Sequence, residues 1–72
     1  MTTDTTQLKY DLECIIDRAS LSTVLELLAE VCCEKSEHIA ETWQDHDLAM
    51  LWHNAGRTVC QTAERIKGKY GV

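Results

Sequence analysis

Apolar residues recur along this chain with the period of an α-helix, in three blocks separated by short polar stretches. When successive residues are placed about 100° apart, each block collects its apolar side chains on one side. The pattern predicts a short helix over about residues 7–18 and two longer helices over about 21–44 and 46–67. Residues 1–6 include four threonines, and we expect them to form a frayed N-terminus.

The polar stretches between the blocks supply residues that begin and end helices. Either Ser20 or Ser22 can cap the second helix, and Asp45 can cap the third. Because only a short turn joins the two long helices, we expect a long antiparallel helical hairpin with the shorter N-terminal helix packed across it. The predicted fold class is therefore all-α, a three-helix arrangement in a single small domain of residues 1–72.

The apolar side of the second helix is wider than one partner helix covers. On a helical wheel, Leu27 lies about 60° to one side of Val24, and Trp43 lies about 100° to the other side. The first helix is about half as long as the second and can shield only part of this arc. A second copy of the protein can cover the rest, and a homodimer is our hypothesis.

The third helix combines an apolar stripe with a line of small residues. The stripe consists of Leu48, Leu51, Trp52, Ala55, Val59, Ala63 and Ile66. Ala49, Gly56 and Ala63 recur every seven residues, where another helix backbone can approach closely. A glycine inside a helix costs about 1 kcal/mol relative to alanine, so close packing explains Gly56 better than helix propensity does. Two alternatives stay open for the neighbour: self-association with a second copy, or the first helix of the same chain.

Length, cysteine usage and charge limit the classes of function. A chain of 72 residues has a thin core, because domains of about this size bury only roughly 60% of their unfolded surface. We recognise no membrane-spanning segment and no secretory signal, so we expect a cytoplasmic protein without a membrane partner. The four cysteines form neither a CxxC pair nor a disulfide framework, which favours reduced thiols.

The net charge of −5 is unevenly distributed along the chain. Residues 57–72 carry four basic side chains and one acidic side chain. Basic residues in the last turns of a helix complement its macrodipole, and this explanation is favoured over nucleic-acid binding. Nucleic acid is therefore not an expected partner.

Five glutamates form an acidic ridge on the second helix, opposite its predicted core side. They are Glu26, Glu30, Glu34, Glu37 and Glu41. Like charges one helical turn apart are mildly destabilising, so the ridge does not serve helix stability. It can dock a basic protein partner, including residues 57–69 of another copy, or it can be a solvated face that keeps the protein soluble.

Two tryptophans near the turn between the long helices are further candidates for partner binding. Aromatic residues are over-represented where protein interfaces gain most of their binding energy. Trp43 and Trp52 can form an exposed aromatic end of the hairpin, or they can close its turn as core residues.

The sequence contains few groups arranged for catalysis or metal binding. Glu34 and His38 lie one helical turn apart, but on the outer side of the second helix rather than facing another helix. Cys32 and Cys33 stand in the middle of a helix among glutamates, which does not favour a nucleophilic thiolate. There is no glycine-rich phosphate loop. We predict no enzyme activity, no metal and no cofactor.

Redox chemistry remains a hypothesis for three of the cysteines. Cys14, Cys33 and Cys60 project toward helix flanks or solvent and could form mixed or intermolecular disulfides. A disulfide between Cys32 and Cys33 is excluded, because adjacent helical side chains diverge by about 100°.

The segments IIDRASLSTVLELLAEVCCEKSEHI, WQD and LAMLWHNAG resemble a group of short bacterial proteins of uncharacterised activity. The resemblance covers about residues 12–60 and implies a small helical protein of bacterial cytoplasmic origin. It implies no particular activity, cofactor or substrate for the residues of this chain. We therefore predict a small non-enzymatic protein–protein interaction or regulatory module that self-associates and carries an acidic helix face. The alternative is a thiol- or metal-responsive regulator that uses Cys33 and His38.

Overall fold

The protein is a three-helix chain in the computed structural model, which describes residues 5–72. Helix α1 spans Thr5–Arg18, α2 spans Leu21–His38 and α3 spans His46–Tyr70. A π-helix over Ile39–Trp43 continues α2. Helices α2 and α3 pack extensively against each other, and no strand occurs among the described residues. The all-α prediction with a shorter N-terminal helix is confirmed.

The helix boundaries differ from the predicted ones by a few residues. Thr5 and Thr6 belong to α1, although they were expected in the frayed segment; the rest of that segment lies outside the described residues. Helix α3 continues through Gly68 to Tyr70. It ends at Gly71, whose φ of 73° is the left-handed conformation that glycine adopts without strain.

The last turn of the predicted second helix widens into a π-helix. In a π-helix, backbone hydrogen bonds join residues five positions apart instead of four. The apolar periodicity of the sequence does not reveal this change. Gln44 follows with a φ of 53° and reverses the chain. The carboxylate of Asp45 then accepts a hydrogen bond of 3.0 Å from the Leu48 amide, as predicted for the cap of α3.

Only Ala19 and Ser20 connect α1 to α2, and both are held by hydrogen bonds. The Ala19 amide donates to Ile15 and Ile16 of α1, at 3.2 Å each. Ser20 is the N-cap of α2: its Oγ accepts from the Thr23 amide at 3.1 Å and donates to the Thr23 hydroxyl at 2.8 Å. The connection is therefore short and fixed at both ends.

The line of small residues on α3 packs against α2 of the same chain. Ala49 and Gly56 are buried, and Ala63 is 0% exposed. A Cβ added at Gly56 would lie 3.0 Å from the Cβ of Cys32. Neither of the two proposed neighbours, a second copy or α1, occupies this line, because the hairpin turn brings α2 alongside it first.

Two hydrogen bonds tie the hairpin near its two ends. Near the turn, the Ser36 hydroxyl donates to the Ala49 carbonyl at 2.8 Å. At the other end, the Ser22 amide donates to the Val72 carbonyl oxygen at 3.0 Å, after Gly71 has turned the chain. Ser22 is also buried, so the α2–α3 contact extends from the turn to the last residue of the chain.

The chain forms a flat, open shape. Its radius of gyration is 14.2 Å, whereas a compact chain of this length would have about 11 Å. The dimensions of 38 × 35 × 14 Å show that the chain is much thinner in one direction than in the other two. Within the described residues, α1 contacts α2 sparsely and α3 not at all. Helix α1 therefore projects from the hairpin instead of lying across it, because the chain runs extended through Ser20 between the two helices.

Candidate functional site

The α2–α3 hairpin has two different faces, and Lys35 distinguishes them. The Lys35 ammonium lies 5.5 Å from the centroid of the Trp52 ring, within the range of a cation–π interaction. Leu28 and Val31 precede Lys35 by seven and four residues, so they lie on the same side of α2. Both are large apolar side chains that remain about half exposed.

The same face continues on α3 around Trp52. Leu48, Leu51, Trp52 and Ala55 line one shallow depression of about 350 Å³. Leu51 is 66% exposed, and Leu48 is also exposed. We call this surface the open apolar face, which consists of Leu28, Val31, Leu48, Leu51, Trp52 and Ala55. Single exposed leucines are ordinary in proteins, but a contiguous apolar patch marks a binding surface.

The geometry of α3 explains why this face is uncovered. The line of Ala49, Gly56 and Ala63 contacts α2, and Trp52 and Ala55 lie about 40–100° further round the helix. Close approach through small residues leaves the larger side chains beside the contact rather than inside it. Only the edge of the predicted apolar stripe of α3 is therefore buried against α2, and the rest of the stripe lies beside the contact.

Helix α1 carries a second exposed apolar surface. None of its residues Thr5–Arg18 is buried. Leu12 is 48% exposed, and Leu8 and Ile15, on the same side of the helix, are similarly open to solvent. We call Leu8, Leu12 and Ile15 the α1 stripe.

A charged groove runs along the other side of the hairpin and has a volume of about 420 Å³. It is lined by Glu26, Ala29, Glu30, Cys33, His53, Gly56, Arg57 and Cys60. Glutamates stand on the α2 rim, and a histidine and an arginine stand on the α3 rim. This groove was not predicted from the sequence. The sequence does carry a signal for it. Positions 26, 29, 30 and 33 on α2 have the same spacing as positions 53, 56, 57 and 60 on α3, so each helix of the antiparallel pair presents one matching set of side chains.

All five glutamates of the acidic ridge are exposed. Glu26 and Glu30 form part of the charged groove, and Glu41 lies in the π-helix, outside the α-helical register of the other four. In the part of the chain that the structure describes, none of the five has an ion-pair partner. The ridge is thus a solvent-facing acidic surface, with His53 and Arg57 across the charged groove from Glu26 and Glu30.

The two tryptophans occupy different environments. Trp43 is the last residue of the π-helix and is 72% exposed, so it is not part of the core. Trp52 is half buried, with the Lys35 ammonium over its ring. The exposed member of the predicted aromatic end is therefore Trp43, whereas Trp52 belongs to the open apolar face.

The cysteines are all free, and two of the three redox candidates share one surface. Cys33 and Cys60 line the charged groove, whereas Cys14 is exposed on α1. Cys32 is half buried against Gly56.

The thiol of Cys33 and the imidazole of His38 do not converge on one site. Five residues of helix place them about 140° apart around α2. The Nδ1 atom of His38 instead lies 3.4 Å from the Thr42 hydroxyl. Among the described residues, no group of three or more His, Cys, Asp or Glu side chains is arranged to hold a metal ion.

None of the helices within residues 5–72 combines the length and apolar character needed to cross a membrane. Comparison of the chain with protein-family models, with curated proteins and with solved structures finds no match.

Proposed function

We propose that this protein is a small non-enzymatic interaction module that self-associates through its open apolar face. The observation that carries the proposal is the flat shape, 14 Å in its thinnest dimension, with large apolar side chains exposed on one face. Stable domains consist of two or three packed layers around a shared core. A second copy, placed face to face with the first, supplies the missing layer.

The exposed area supports a partner of this size. The chain exposes 5936 Å², whereas a folded monomer of its mass exposes about 4,500 Å². The excess is about 1,400 Å² for each copy, or about 2,800 Å² for a pair, which falls in the range of obligate homodimer interfaces. Pairing two copies would thus return the exposed area to the value expected for compact folding.

The acidic ridge is the second functional surface of the proposed module. It lies about 130° round α2 from the open apolar face, so self-association leaves it in solvent. Exposed negative charge favours solubility and attracts basic partners at long range. We assign the ridge to docking of a basic protein segment, with the exposed Trp43 as an apolar contact beyond its end.

The proposed location is the bacterial cytoplasm. Four free cysteines in a small chain fit a reducing compartment, since small secreted domains commonly use cysteines as disulfides. The bacterial assignment rests on the sequence resemblance alone.

Two adjacent exposed residues of α3 provide a matched test of the open apolar face. Leu51 belongs to the face, whereas Met50, which is 56% exposed, lies on the other side of the helix. We expect Leu51→Glu to weaken self-association about 100-fold, because the dimer would bury two unpaired charges, and Met50→Glu to change it less than about threefold. Light scattering across a dilution series measures the self-association of both variants. Equal effects of the two substitutions would contradict the proposal.

A second candidate function is a thiol-responsive regulator, because Cys33 and Cys60 line the same groove. Under mild oxidation this function predicts a disulfide-linked species on non-reducing electrophoresis that Cys33→Ser abolishes and Cys14→Ser retains. If oxidation changes neither the mass nor the number of free thiols, this candidate is excluded and the interaction module remains.

A further inference from the structure

Helix α1 is poorly stabilised within its own chain. A helix of 14 residues is marginal in water unless tertiary packing supports it. Yet no residue of α1 is buried, and its contacts inside the described chain are limited to a few with α2. The α1 stripe of Leu8, Leu12 and Ile15 has the aliphatic character of a packing surface without a neighbour.

The connection to α2 is short, and α1 extends away from its own hairpin. Ala19 and Ser20 are the whole link, and the backbone of Ser20 is extended, with φ −166° and ψ 164°. Hydrogen bonds from Ala19 to α1 and between Ser20 and Thr23 hold both sides of the link. In this conformation α1 is presented to a second copy rather than to its own hairpin, which is the arrangement that exchange of an element between two copies requires.

We infer that two copies of this chain exchange their α1 helices, so that the α1 stripe of each copy packs on the open apolar face of the other. This inference rests on the proposed self-association and specifies its geometry. Both surfaces are built of large aliphatic side chains that are about half exposed. Their mutual burial would cover both exposed surfaces with one partner, in the direction that the excess exposed area of the chain requires.

Length and charge fit this arrangement. Helix α1 is about 21 Å long, and α2, which forms part of the receiving face, is about 27 Å long. Helix α1 carries three acidic and two basic residues, and the charged group within the open apolar face is Lys35. A weakly negative helix therefore meets a face with one positive charge.

Isotope-filtered nuclear Overhauser spectroscopy tests the exchange directly. A sample is refolded from equal amounts of ¹³C-labelled and unlabelled full-length protein. We expect intermolecular contacts between methyl groups of Leu8, Leu12 and Ile15 in one copy and those of Leu28, Val31 and Leu51 in the other. A dimer whose α1 methyl groups contact only their own chain, or only the other α1, overturns the exchange and leaves the proposed function standing. A protein that is monomeric at all concentrations overturns both.

A matched pair of substitutions on α1 gives an independent readout. Leu12 lies in the α1 stripe, and Tyr10, which is 62% exposed, points to the opposite side of the helix. We expect Leu12→Glu to raise the dimer dissociation constant about 100-fold, since each dimer loses two buried leucines, and Tyr10→Glu to raise it less than about threefold. Both variants add glutamate to the same helix, so their effects on helix propensity are comparable. If Leu51→Glu weakens the dimer and Leu12→Glu does not, self-association stands and the exchange is refuted.

Discussion

At the scale of single residues, Gly56 determines how the two long helices meet. If Gly56 carried a Cβ, that atom would lie 3.0 Å from the Cβ of Cys32 and 3.3 Å from the carbonyl oxygen of Ala29. Both of these atoms are attached to or belong to the α2 backbone, so neither can move aside by a change of rotamer. The hairpin is consequently close-packed at Gly56, and larger side chains of α3 are displaced to the open apolar face.

A comparison of two glycines in α3 tests this close approach. We expect Gly56→Ala to lower the free energy of unfolding by about 1–3 kcal/mol, because overpacking outweighs the better helix propensity of alanine. Gly68 lies in the same helix with nothing within 4 Å of an added Cβ. Gly68→Ala should therefore raise the free energy of unfolding, by up to about 1 kcal/mol. Urea unfolding of both variants gives the two values, and effects of the same sign would contradict the packing described.

Local residue chemistry was the most predictable level of this protein. Asp45 was identified as the cap of α3 because capping depends only on neighbours in sequence, and the structure confirms it. The close approach at Gly56 was also predictable, from the cost of glycine in a helix. Which helix approaches was not, because a helical wheel gives the direction of a side chain and not the identity of its neighbour.

At the scale of elements, two links of two residues each lead to different geometries. Gln44 is left-handed and reverses the chain into the hairpin, whereas Ser20 is extended and leads α1 away from it. The Ser20 hydroxyl oxygen accepts a hydrogen bond from the Thr23 amide and donates one to the Thr23 hydroxyl, which fixes the first turn of α2. The sequence predicted the three helices, but it did not show which backbone conformation each link adopts. Periodicity also missed the π-helix over Ile39–Trp43, because one extra residue per turn hardly changes the apolar pattern.

Removal of the cap on α2 tests the role of the link. We expect Ser20→Ala to lower the free energy of unfolding by about 1 kcal/mol, since an amide in the first turn of α2 loses its acceptor. Thr62 provides the control: its hydroxyl donates to the Thr58 carbonyl at 2.9 Å in the middle of α3. Such a bond contributes little to helix stability, so Thr62→Ala should leave the free energy of unfolding within about 0.5 kcal/mol. Thermal and urea unfolding measure both, and a silent Ser20→Ala variant would refute the capping role.

At the scale of the whole molecule, thinness is the dominant property. Within residues 5–72, many of the large apolar side chains are half exposed, and the buried apolar residues are Val24, Ala49 and Ala63. Three such small core residues cannot supply the several kcal/mol that a stable domain needs. The assignment of Leu51 and Ala63 to one core stripe failed for this reason, since the chain alone does not contain a layer that would cover Leu51.

The stability of such a protein should depend on its concentration. If the folded state is a dimer, mass action raises the thermal midpoint with total protein, whereas the midpoint of a folded monomer does not move. We expect the midpoint, followed by circular dichroism over an about 100-fold range of concentration, to rise by several degrees. Leu51→Glu should reduce this dependence, and Met50→Glu should preserve it.

Sedimentation equilibrium of the reduced protein at micromolar concentration tests the central claim, that a second copy completes this single layer of helices. The chain mass is 8.2 kDa. We predict a mass of twice that value, in a reversible equilibrium that Leu51→Glu shifts toward the single chain. A mass of one chain for the wild-type protein across the whole concentration range would contradict the account.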